Sequence, residues 1–464
     1  MRLLRFALPA IALAALTLPG AAQAQEYYYE QGVPTQPVRL PSSQLDEIAE
    51  LVKQKLDRDS SGSPKGDVWE DTSGEKWSLR WGGRMMFDYV MWGSHDPAFG
   101  DLENYAELRR GAIFVSGSGY GVYDFKLQFD FSADNDPTFT VNSPFTGMKD
   151  VYIGIHEIPL LGYVRFGHYK APFGLEQLTS SRFITFMERS LPDVYTPGRE
   201  VGVAAFNHSA GGNVTWAYGV FFDGMSESLK QIVSDNMGAQ FVGRITWTPI
   251  YDEPSNGRYL VHVGGGVRYV NDRNSTLTLR VRPETHEGPR FLDYLGIPAN
   301  PIQSLTVANA ELAVVWGPFS IQGEGFVNSV NTAATGRHEI YGAYAQASFF
   351  LTGENRKYER GTGIFGRVTP HSNFFLLPGC KGAGALELKA RWSYLDAGQL
   401  RVGAGFTPDA FPANADQLNH MAFGFNWHWN PYTRVMFDYW HSWHRFNGVV
   451  NQANLFGIRM QLDF

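Results

Sequence analysis

Apolar and polar residues alternate with a period of two through most of the chain, most regularly in residues 454–464. One face of that segment is apolar, with Phe456, Ile458, Met460, Leu462 and Phe464, and the other carries Gly457, Arg459, Gln461 and Asp463. Strict alternation places one face of a β-strand against an apolar phase and the other against water. The segment also ends on an aromatic residue. We therefore expect a lipid-facing strand whose terminal Phe464 lies at a membrane boundary.

Alternating segments recur from Trp77 onward, separated by turn residues. We predict sixteen strands near 77–91, 106–118, 121–132, 146–157, 160–170, 199–208, 211–222, 237–249, 257–271, 304–317, 318–329, 338–350, 384–394, 417–430, 431–445 and 452–464. The predicted fold class is all-β, a transmembrane antiparallel β-barrel of 16 strands. Eighteen strands would result if residues 351–383 contained a hairpin. An even number places both ends of the barrel on one side of the membrane.

The predicted connections are short on one side of the barrel and long on the other, as for periplasmic turns and outer loops. Residues 351–383 break this asymmetry, because they form a long connection on the short side. They carry a basic run beside Glu354 and Glu359. The basic residues are Arg356, Lys357, Arg360, Arg367 and Lys381. This connection either folds into the lumen and completes a constriction from below, or is a solvated periplasmic loop.

The N-terminal residues 1–24 are predicted to be a secretory signal peptide. Arg2 and Arg5 precede an apolar stretch, residues 6–18, and small residues form an Ala22-Gln23-Ala24 cleavage site. A membrane anchor is the alternative, although the apolar stretch is shorter than a bilayer span of ~20 residues. Cleavage removes two positive charges and moves the formal net charge from -7 to -9.

Residues 25–75 differ from the rest and are predicted to be a periplasmic leader, followed by the barrel domain, 76–464. A short helix at 42–58 can be capped by Ser42 or Ser43. This helix is either a small coiled coil that ties subunits together or a helix on the rim of the barrel.

Composition narrows the possible classes of protein. Aromatic residues make up 14% of the chain, yet no run of 18 apolar residues follows the signal peptide. A membrane-spanning chain without such helices must close into a barrel, because lipid cannot satisfy open backbone groups. The single cysteine, Cys380, excludes an internal disulfide. We predict no enzyme, since no G-x-S-x-G element is present, and no cofactor or nucleic-acid partner.

Three histidines lie among tryptophans and tyrosines near the C-terminal end, namely His428, His441 and His444. No carboxylate or cysteine completes a metal-ligand set at suitable spacing. We therefore predict interfacial girdle residues and no metal site.

The stretch 163–202 reads Y-V-R-F-G-H-Y-K-A-P-F-G-L-E-Q-L-T-S-S-R-F-I-T-F-M-E-R-S-L-P-D-V-Y-T-P-G-R-E-V-G. It resembles the phosphate-selective porin O and P family, whose third outer loop carries the K-x-P-F-G-L-E, T-S-S and F-M-E-R elements. The resemblance continues in 107–111, 348–354, 384–396 and 424–431, and covers roughly 77–464. It implies a homotrimer of 16-stranded barrels in the bacterial outer membrane, in which loop 171–198 enters each lumen and basic side chains form an anion path.

The alternation of polar and apolar residues also predicts which side chains point into the lumen, independently of the family resemblance. The inward basic residues are Arg80, Arg84, Lys126, Arg165, Arg244, Arg258, Arg268, Lys389, Arg391, Arg434 and Arg459. Nearly as many acidic residues also point inward: Glu107, Asp124, Asp130, Asp150, Glu200, Glu311, Glu324, Glu387, Asp438 and Asp463. The wall of the lumen is polar, as a pore requires, but it carries both positive and negative charges. Selectivity must then depend on local placement.

The predicted anion-binding constriction comprises Arg109, Arg110, Lys170, Arg182, Arg189 and Arg199. Fixed guanidinium groups compensate for the water that an anion loses in a narrow pore, and arginine offers two parallel hydrogen bonds to phosphate. Alternation places Arg109 in the lumen but gives Arg110 the opposite parity. Glu188 and Arg189 either belong to the constriction or form a local ion pair that fixes the loop.

These observations favour an outer-membrane porin for passive diffusion of small anions, with phosphate or polyphosphate as the expected permeant. A broad, weakly selective porin is the alternative that the balanced wall charge favours. A structural or adhesive barrel, anchored to the cell wall through the helix at 42–58, is a third possibility. The expected partners are outer-membrane lipid, lipopolysaccharide and two further copies of the chain.

Overall fold

The computed structural model describes residues 68–70, 77–132, 147–222, 238–271, 278–287, 292–295, 301–375, 379, 381–399, 417–446 and 448–464. The predicted signal peptide, the predicted helix at 42–58 and Cys380 lie outside these residues.

The described segments are almost entirely β-strands. In chain order they are β1 Val68–Glu70, β2 Trp77–His95, β3 Tyr105–Gly119, β4 Tyr123–Asp130, β5 Met148–Ile158, β6 Gly162–Lys170, β7 Arg199–His208, β8 Val214–Phe222, β9 Ala239–Tyr251, β10 Tyr259–Asn271, β11 Thr278–Val281, β12 Leu292–Leu295, β13 Ile302–Trp316, β14 Phe319–Thr332, β15 Gly336–Phe350, β16 Tyr358–Glu359, β17 Ile364–Phe365, β18 Ala385–Asp396, β19 Gln417–Asn430, β20 Thr433–Phe446 and β21 Val449–Asp463. The helical elements are α1, Leu175–Leu178, and the 3₁₀ helices Pro97–Phe99 and Leu191–Tyr195.

Sixteen of the described strands form a closed antiparallel barrel. Each pairs with the next along the chain, and β2 closes the barrel by pairing with both β3 and β21. Short β1 pairs with the first residues of β2. The prediction of sixteen strands is confirmed, with strand bounds that differ by a few residues. The 18-strand alternative is wrong, because residues 351–383 contribute only the two-residue strands β16 and β17, which pair with each other.

The two ends of the barrel differ in their connections. We call the end that carries the start of β2 and the end of β21 the turn end, and the opposite end the loop end. The turn end has tight connections such as 317–318 and 431–432, whereas residues 171–198 and 397–416 connect strands at the loop end. The long connection of residues 351–384, between β15 and β18, is the exception at the turn end.

The two faces of each barrel strand differ in polarity. Outward side chains are large and apolar, and Phe87, Ile153 and Phe166 are 53%, 58% and 66% exposed. Inward side chains such as Arg459 and Lys389 are buried. A barrel whose outside is apolar and whose inside is polar matches lipid on one face and water on the other. Within the described part of the chain, no helix has the length and apolarity that a membrane span needs.

The last residue completes the closure of the barrel. The backbone of Phe464 exchanges hydrogen bonds with Gly83, at 3.0 and 2.9 Å, and its ring lies 5.9 Å from that of Trp81. A Cβ at position 83 would lie 2.7 Å from the Phe464 ring and 2.8 Å from the carbonyl oxygen of Ala112. Glycine at this position is therefore required for the seam between β2 and β21.

Candidate functional site in the barrel lumen

Residues 171–198, which we call loop three, pack inside the barrel. Phe173, Phe186 and Tyr195 are almost completely buried there. The carboxylate of Glu324, on β14, accepts hydrogen bonds from the backbone N–H groups of Leu175 and Glu176, both at 2.8 Å. A buried wall carboxylate thus satisfies backbone donors that the single-turn helix α1 leaves unpaired.

Two predicted constriction residues satisfy the carbonyl groups of loop three. The Lys170 ammonium donates to the carbonyl oxygen of Gln177 and, at 3.4 Å, to that of Thr179. The Arg189 guanidinium donates to the carbonyl oxygens of Glu176, Gln177 and Thr179 at 3.1 to 3.3 Å. Since these donors are engaged by the backbone, both residues hold the shape of loop three.

Loop three is also held by a cluster of four alternating charges. Glu188 accepts from Arg109 at 2.7 and 3.1 Å and from Arg459 at 2.6 Å. Arg459 in turn binds both carboxylate oxygens of Asp88 at 2.6 Å. Burial alone would raise the pKa of Glu188, but the two arginines outweigh it and hold that pKa well below its ordinary value. The predicted local pair between Glu188 and Arg189 is wrong.

Most of the predicted wall cations are likewise engaged by neighbouring polar groups. Arg244 binds both oxygens of Glu311, at 2.8 and 2.7 Å. The remaining partners of the wall and constriction residues are Asp438 for Lys389, Glu284 and Glu176 for Arg391, Asp150 for Lys126 and for Arg199, and Gln240 for Arg268.

Two predicted wall residues differ from these pairs. The Arg165 guanidinium lies 4.0 Å from the centre of the Tyr152 ring and about 5 Å from three further rings, and Nε donates to the Tyr163 hydroxyl. An aromatic cage of this kind stabilises the cation without a carboxylate. Arg80 is exposed near the turn end.

A β-bulge turns both Arg109 and Arg110 into the lumen. Met86 pairs with Arg110 and Phe87 pairs with Leu108, so Arg109 is an extra residue in β3. Leu108 and Ile113 both face outward, at 40% and 49% exposure, although they lie five positions apart and regular alternation would put them on opposite faces. The parity therefore changes between them. Arg110, which alternation placed toward lipid, faces the lumen.

A second β-bulge turns Lys149 into the lumen, a cation that alternation did not identify. Leu127 pairs with Val151 and Phe129 pairs with Met148, so two residues of β5, Lys149 and Asp150, oppose a single residue of β4. Lys149 therefore turns inward next to Asp150. The charges that act on it include those of Asp130, Arg199 and Arg110, all inside the barrel.

Arg84, Arg110 and Lys149 form what we call the cationic patch. In the described part of the chain, no carboxylate lies within ion-pair distance of any of them. Arg84 donates to the Ser181 hydroxyl at 2.8 Å, and the Nε atoms of Arg84 and Arg110 are buried without a hydrogen-bond partner. The carboxylate that acts most strongly on Arg84 and Lys149 is Asp130, which also accepts from Ser132 at 2.7 Å. The patch therefore presents guanidinium and ammonium donors to the lumen without an ion-paired carboxylate among the described residues.

The long connection at the turn end folds into the lumen. The Tyr358 hydroxyl lies 2.6 Å from Nδ1 of His262 on β10, and Arg356 donates to Gln322 on β14 at 2.9 Å. Burial lowers the pKa of Arg356. Of the two interpretations of residues 351–383, the inward fold is correct for this part, and Lys381 alone of the basic run is exposed.

A cavity opens below loop three at the turn end. Its lining includes Arg182, Arg356, Arg367, Arg434, Glu387 and Asp463. Asp463 accepts from Arg367 and, at 3.5 Å, from Arg182. Burial, together with the neighbouring charge of Arg367, lowers the pKa of Arg182. A second group of basic side chains therefore lines a cavity, together with the acidic residues Glu387 and Asp463.

Two of the three histidines do not form the predicted girdle, whereas His441 lies on the opposite face of β20 from His444, with its ring 4.2 Å from that of Trp443. His428 and His444 are buried, and Nε2 of His428 lies 3.4 Å from a carboxylate oxygen of Glu387 inside the barrel. Only one group in the described residues has metal-ligand spacing, Glu107, His286 and Glu287, whose ligand atoms lie within 4.8 Å of one another. In the structure His286 Nδ1 is 2.6 Å from Glu107 Oε2, so this group joins residues 281–287 to strand β3 of the wall.

The sequence profile of the phosphate-selective porin O and P family matches residues 81–464. The chain belongs to this family. Porin O of Pseudomonas aeruginosa is 24% identical over 393 residues, which cover 81% of this chain and 85% of that protein. An uncharacterized protein of Caulobacter vibrioides is 26% identical over 374 residues, 77% of this chain and 68% of that one.

A solved structure supports the fold of this porin family member. The outer-membrane channel DcaP of Acinetobacter baumannii superimposes with a TM-score of 0.50 and 12% identity, covering 86% of this chain and all of that one. The chain is thus an outer-membrane porin of the O and P family.

Proposed function

We propose that this porin lets small anions, phosphate and polyphosphate among them, diffuse passively into the periplasm. The cationic patch supports this proposal, because Arg84, Arg110 and Lys149 lie in the lumen without carboxylate partners in the described residues. An anion that sheds water in a narrow pore needs compensating donors. Arg110 is the central residue of the proposed constriction.

The remaining predicted constriction residues have different parts in this proposal. Arg109, Lys170 and Arg189 hold loop three in place, and Ser181 of that loop accepts a hydrogen bond from Arg84 of the cationic patch. Arg199 and Lys126 share Asp150, so the three together contribute one net positive charge beside the patch. Arg182 extends the proposed path toward the turn end.

Broad, weak selectivity is the second candidate function. It is favoured by the ion pairs along the wall, such as those of Arg244 and Lys389, which cancel most of the basic charge. In that case the patch would bias the pore toward anions without binding any one of them.

Inhibition of chloride current by added phosphate separates the two candidates. Purified porin is inserted into planar bilayers in potassium chloride, and phosphate is titrated. We expect saturable inhibition in the wild type, weakened at least tenfold in Arg110→Gln. Arg80→Gln is the matched control, because Arg80 is exposed near the turn end. A phosphate-insensitive current in the wild type would favour the broad porin.

We also propose that the porin assembles as a homotrimer, as the family resemblance implies. Native mass spectrometry of the purified protein tests the stoichiometry, and a monomer at micromolar concentration would contradict it.

The mass of the mature chain tests the proposed cleavage of the signal peptide after Ala24. A pull-down with peptidoglycan, comparing the full mature chain with a chain that lacks 42–58, tests contact with the cell wall.

A further inference from the structure

Residues 281–287, which we call the inner segment, belong to the connection between β10 and β13 and enter the lumen from the loop end. Val281 packs in the same buried cluster as Leu191 and Tyr195 of loop three. Glu284 is only 4% exposed and has a φ of +54°, which non-glycine residues rarely adopt. The surrounding contacts must therefore hold this residue in place.

The side chain of Glu284 accepts three hydrogen bonds. Arg391, on β18, donates to Oε2 at 2.5 Å. The hydroxyl of Ser393, two residues further along the same strand, donates to Oε1, and the backbone N–H of Leu191 donates to the same oxygen at 3.2 Å. None of the three donors belongs to the inner segment.

These donors have the composition of an oxyanion site. A guanidinium, a hydroxyl and a backbone N–H converge on two oxygen atoms bonded to one carbon, and Nε of Arg391 is buried without a partner. Charge-assisted contacts of this kind are the strong ones in carboxylate recognition. Phe186 lies beneath the guanidinium, with its ring centre 4.3 Å from the Arg391 carbon, and fixes its plane.

We propose that Arg391, Ser393 and the Leu191 N–H form a carboxylate-binding subsite of the pore, which Glu284 occupies as a tethered competitor. A permeant carboxylate displaces Glu284 and takes its three donors. This inference rests on the proposed anion permeation, and it adds a ligand class and a mechanism of competition.

The inner segment is also attached to β3, so the side chain of Glu284 can leave its three donors while the rest of the segment stays in place. His286 Nδ1 lies 2.6 Å from Glu107 Oε2, and the Glu287 N–H donates to the Tyr105 hydroxyl at 3.3 Å. These contacts lie on β3 and involve none of the three donors. Because Glu284 belongs to the same chain as its donors, it competes with a free carboxylate intramolecularly, and the free carboxylate needs a high concentration to displace it.

Block of chloride current by benzoate tests the subsite. In planar bilayers we expect Glu284→Ala to lower the concentration for half-maximal block at least tenfold relative to the wild type. The control Glu287→Ala removes the same charge from the same segment, where the side chain is 45% exposed, and should leave that concentration unchanged. Adding Ser393→Ala and Arg391→Gln to Glu284→Ala should abolish the gain.

The outcomes distinguish the subsite from the proposed function. Equal benzoate block in wild type and Glu284→Ala would overturn the subsite, whatever the ion selectivity of the pore. A cation-selective wild type would instead contradict anion permeation. A larger gain in phosphate block than in benzoate block on going from the wild type to Glu284→Ala would overturn the carboxylate assignment. Glu284→Gln keeps the shape of the side chain, and it should shift benzoate block in the same direction if Glu284→Ala fails to fold.

Discussion

Replacement of Arg459 by methionine should destabilise the barrel through the carboxylate that it leaves behind. Arg459 is completely buried and makes both hydrogen bonds of Asp88, which is 4% exposed. In the described residues Asp88 has no other ion-pair partner. Glu188 is less affected, because it keeps its two hydrogen bonds from the Arg109 guanidinium. Arg459→Met therefore isolates one buried charge.

The size of the effect follows from this geometry. Two unit charges about 4 Å apart interact by about 4 kcal/mol at an effective dielectric constant near 20, and removal of one partner from a buried pair costs about 3–5 kcal/mol. Replacement of both partners by neutral side chains is often close to neutral. We expect Arg459→Met to lose about 3–5 kcal/mol and Arg459→Met/Asp88→Asn to recover at least half of that loss.

Urea unfolding in lipid vesicles, followed by tryptophan fluorescence, measures these free energies. The double-mutant cycle also needs Asp88→Asn alone, and Arg80→Met serves as an exposed control expected to stay within about 0.5 kcal/mol of the wild type. The reasoning would be refuted if the double variant were less stable than Arg459→Met, or if the single variant lost under 1 kcal/mol.

Two further predictions concern loop three and the barrel seam. Burial and the neighbouring charge of Glu176 raise the pKa of Asp193 from 3.8 to about 6, so the folded chain binds an extra proton and its free energy of unfolding should fall as pH rises from about 4 to about 6. Anion preference should accordingly increase from pH 7 to pH 5, and reversal potentials should show a flatter pH profile in Asp193→Asn; an identical profile contradicts this. Gly83→Val should reduce the folded fraction on unheated gels because its Cβ meets Phe464 and the Ala112 carbonyl, whereas Gly325→Ala, where a Cβ meets nothing within 4 Å, should fold normally; equal folding of both would refute the requirement for glycine.

Alternation predicted the strands because each barrel strand meets lipid on one face and water on the other. It failed at the two bulges, where one extra residue reverses the parity of the strand. A signal was present in the sequence: Arg109-Arg110 and Lys149-Asp150 are charged pairs inside spanning strands. Neither member of such a pair can face lipid cheaply, so a charged doublet in a barrel strand indicates a bulge.

The partners of the charged residues could not be read from the sequence. Glu188 binds Arg109 and Arg459, which lie 79 and 271 positions away. The inner segment also gave no sequence signal, because its significance depends on the contact between Glu284 and Arg391, which lie 107 positions apart. Motifs could indicate that loop three folds inward, but only the closed barrel determines which cations are neutralised and which remain in the cationic patch.

The reversal potential in a potassium chloride gradient, for the wild type and for Arg110→Gln/Lys149→Gln, tests the central claim most directly. The account predicts a wild-type potential of the sign set by chloride, and a shift toward the potassium value when the two bulge cations are removed. A wild-type potential of the sign set by potassium, or an unchanged potential in the double variant, would contradict it.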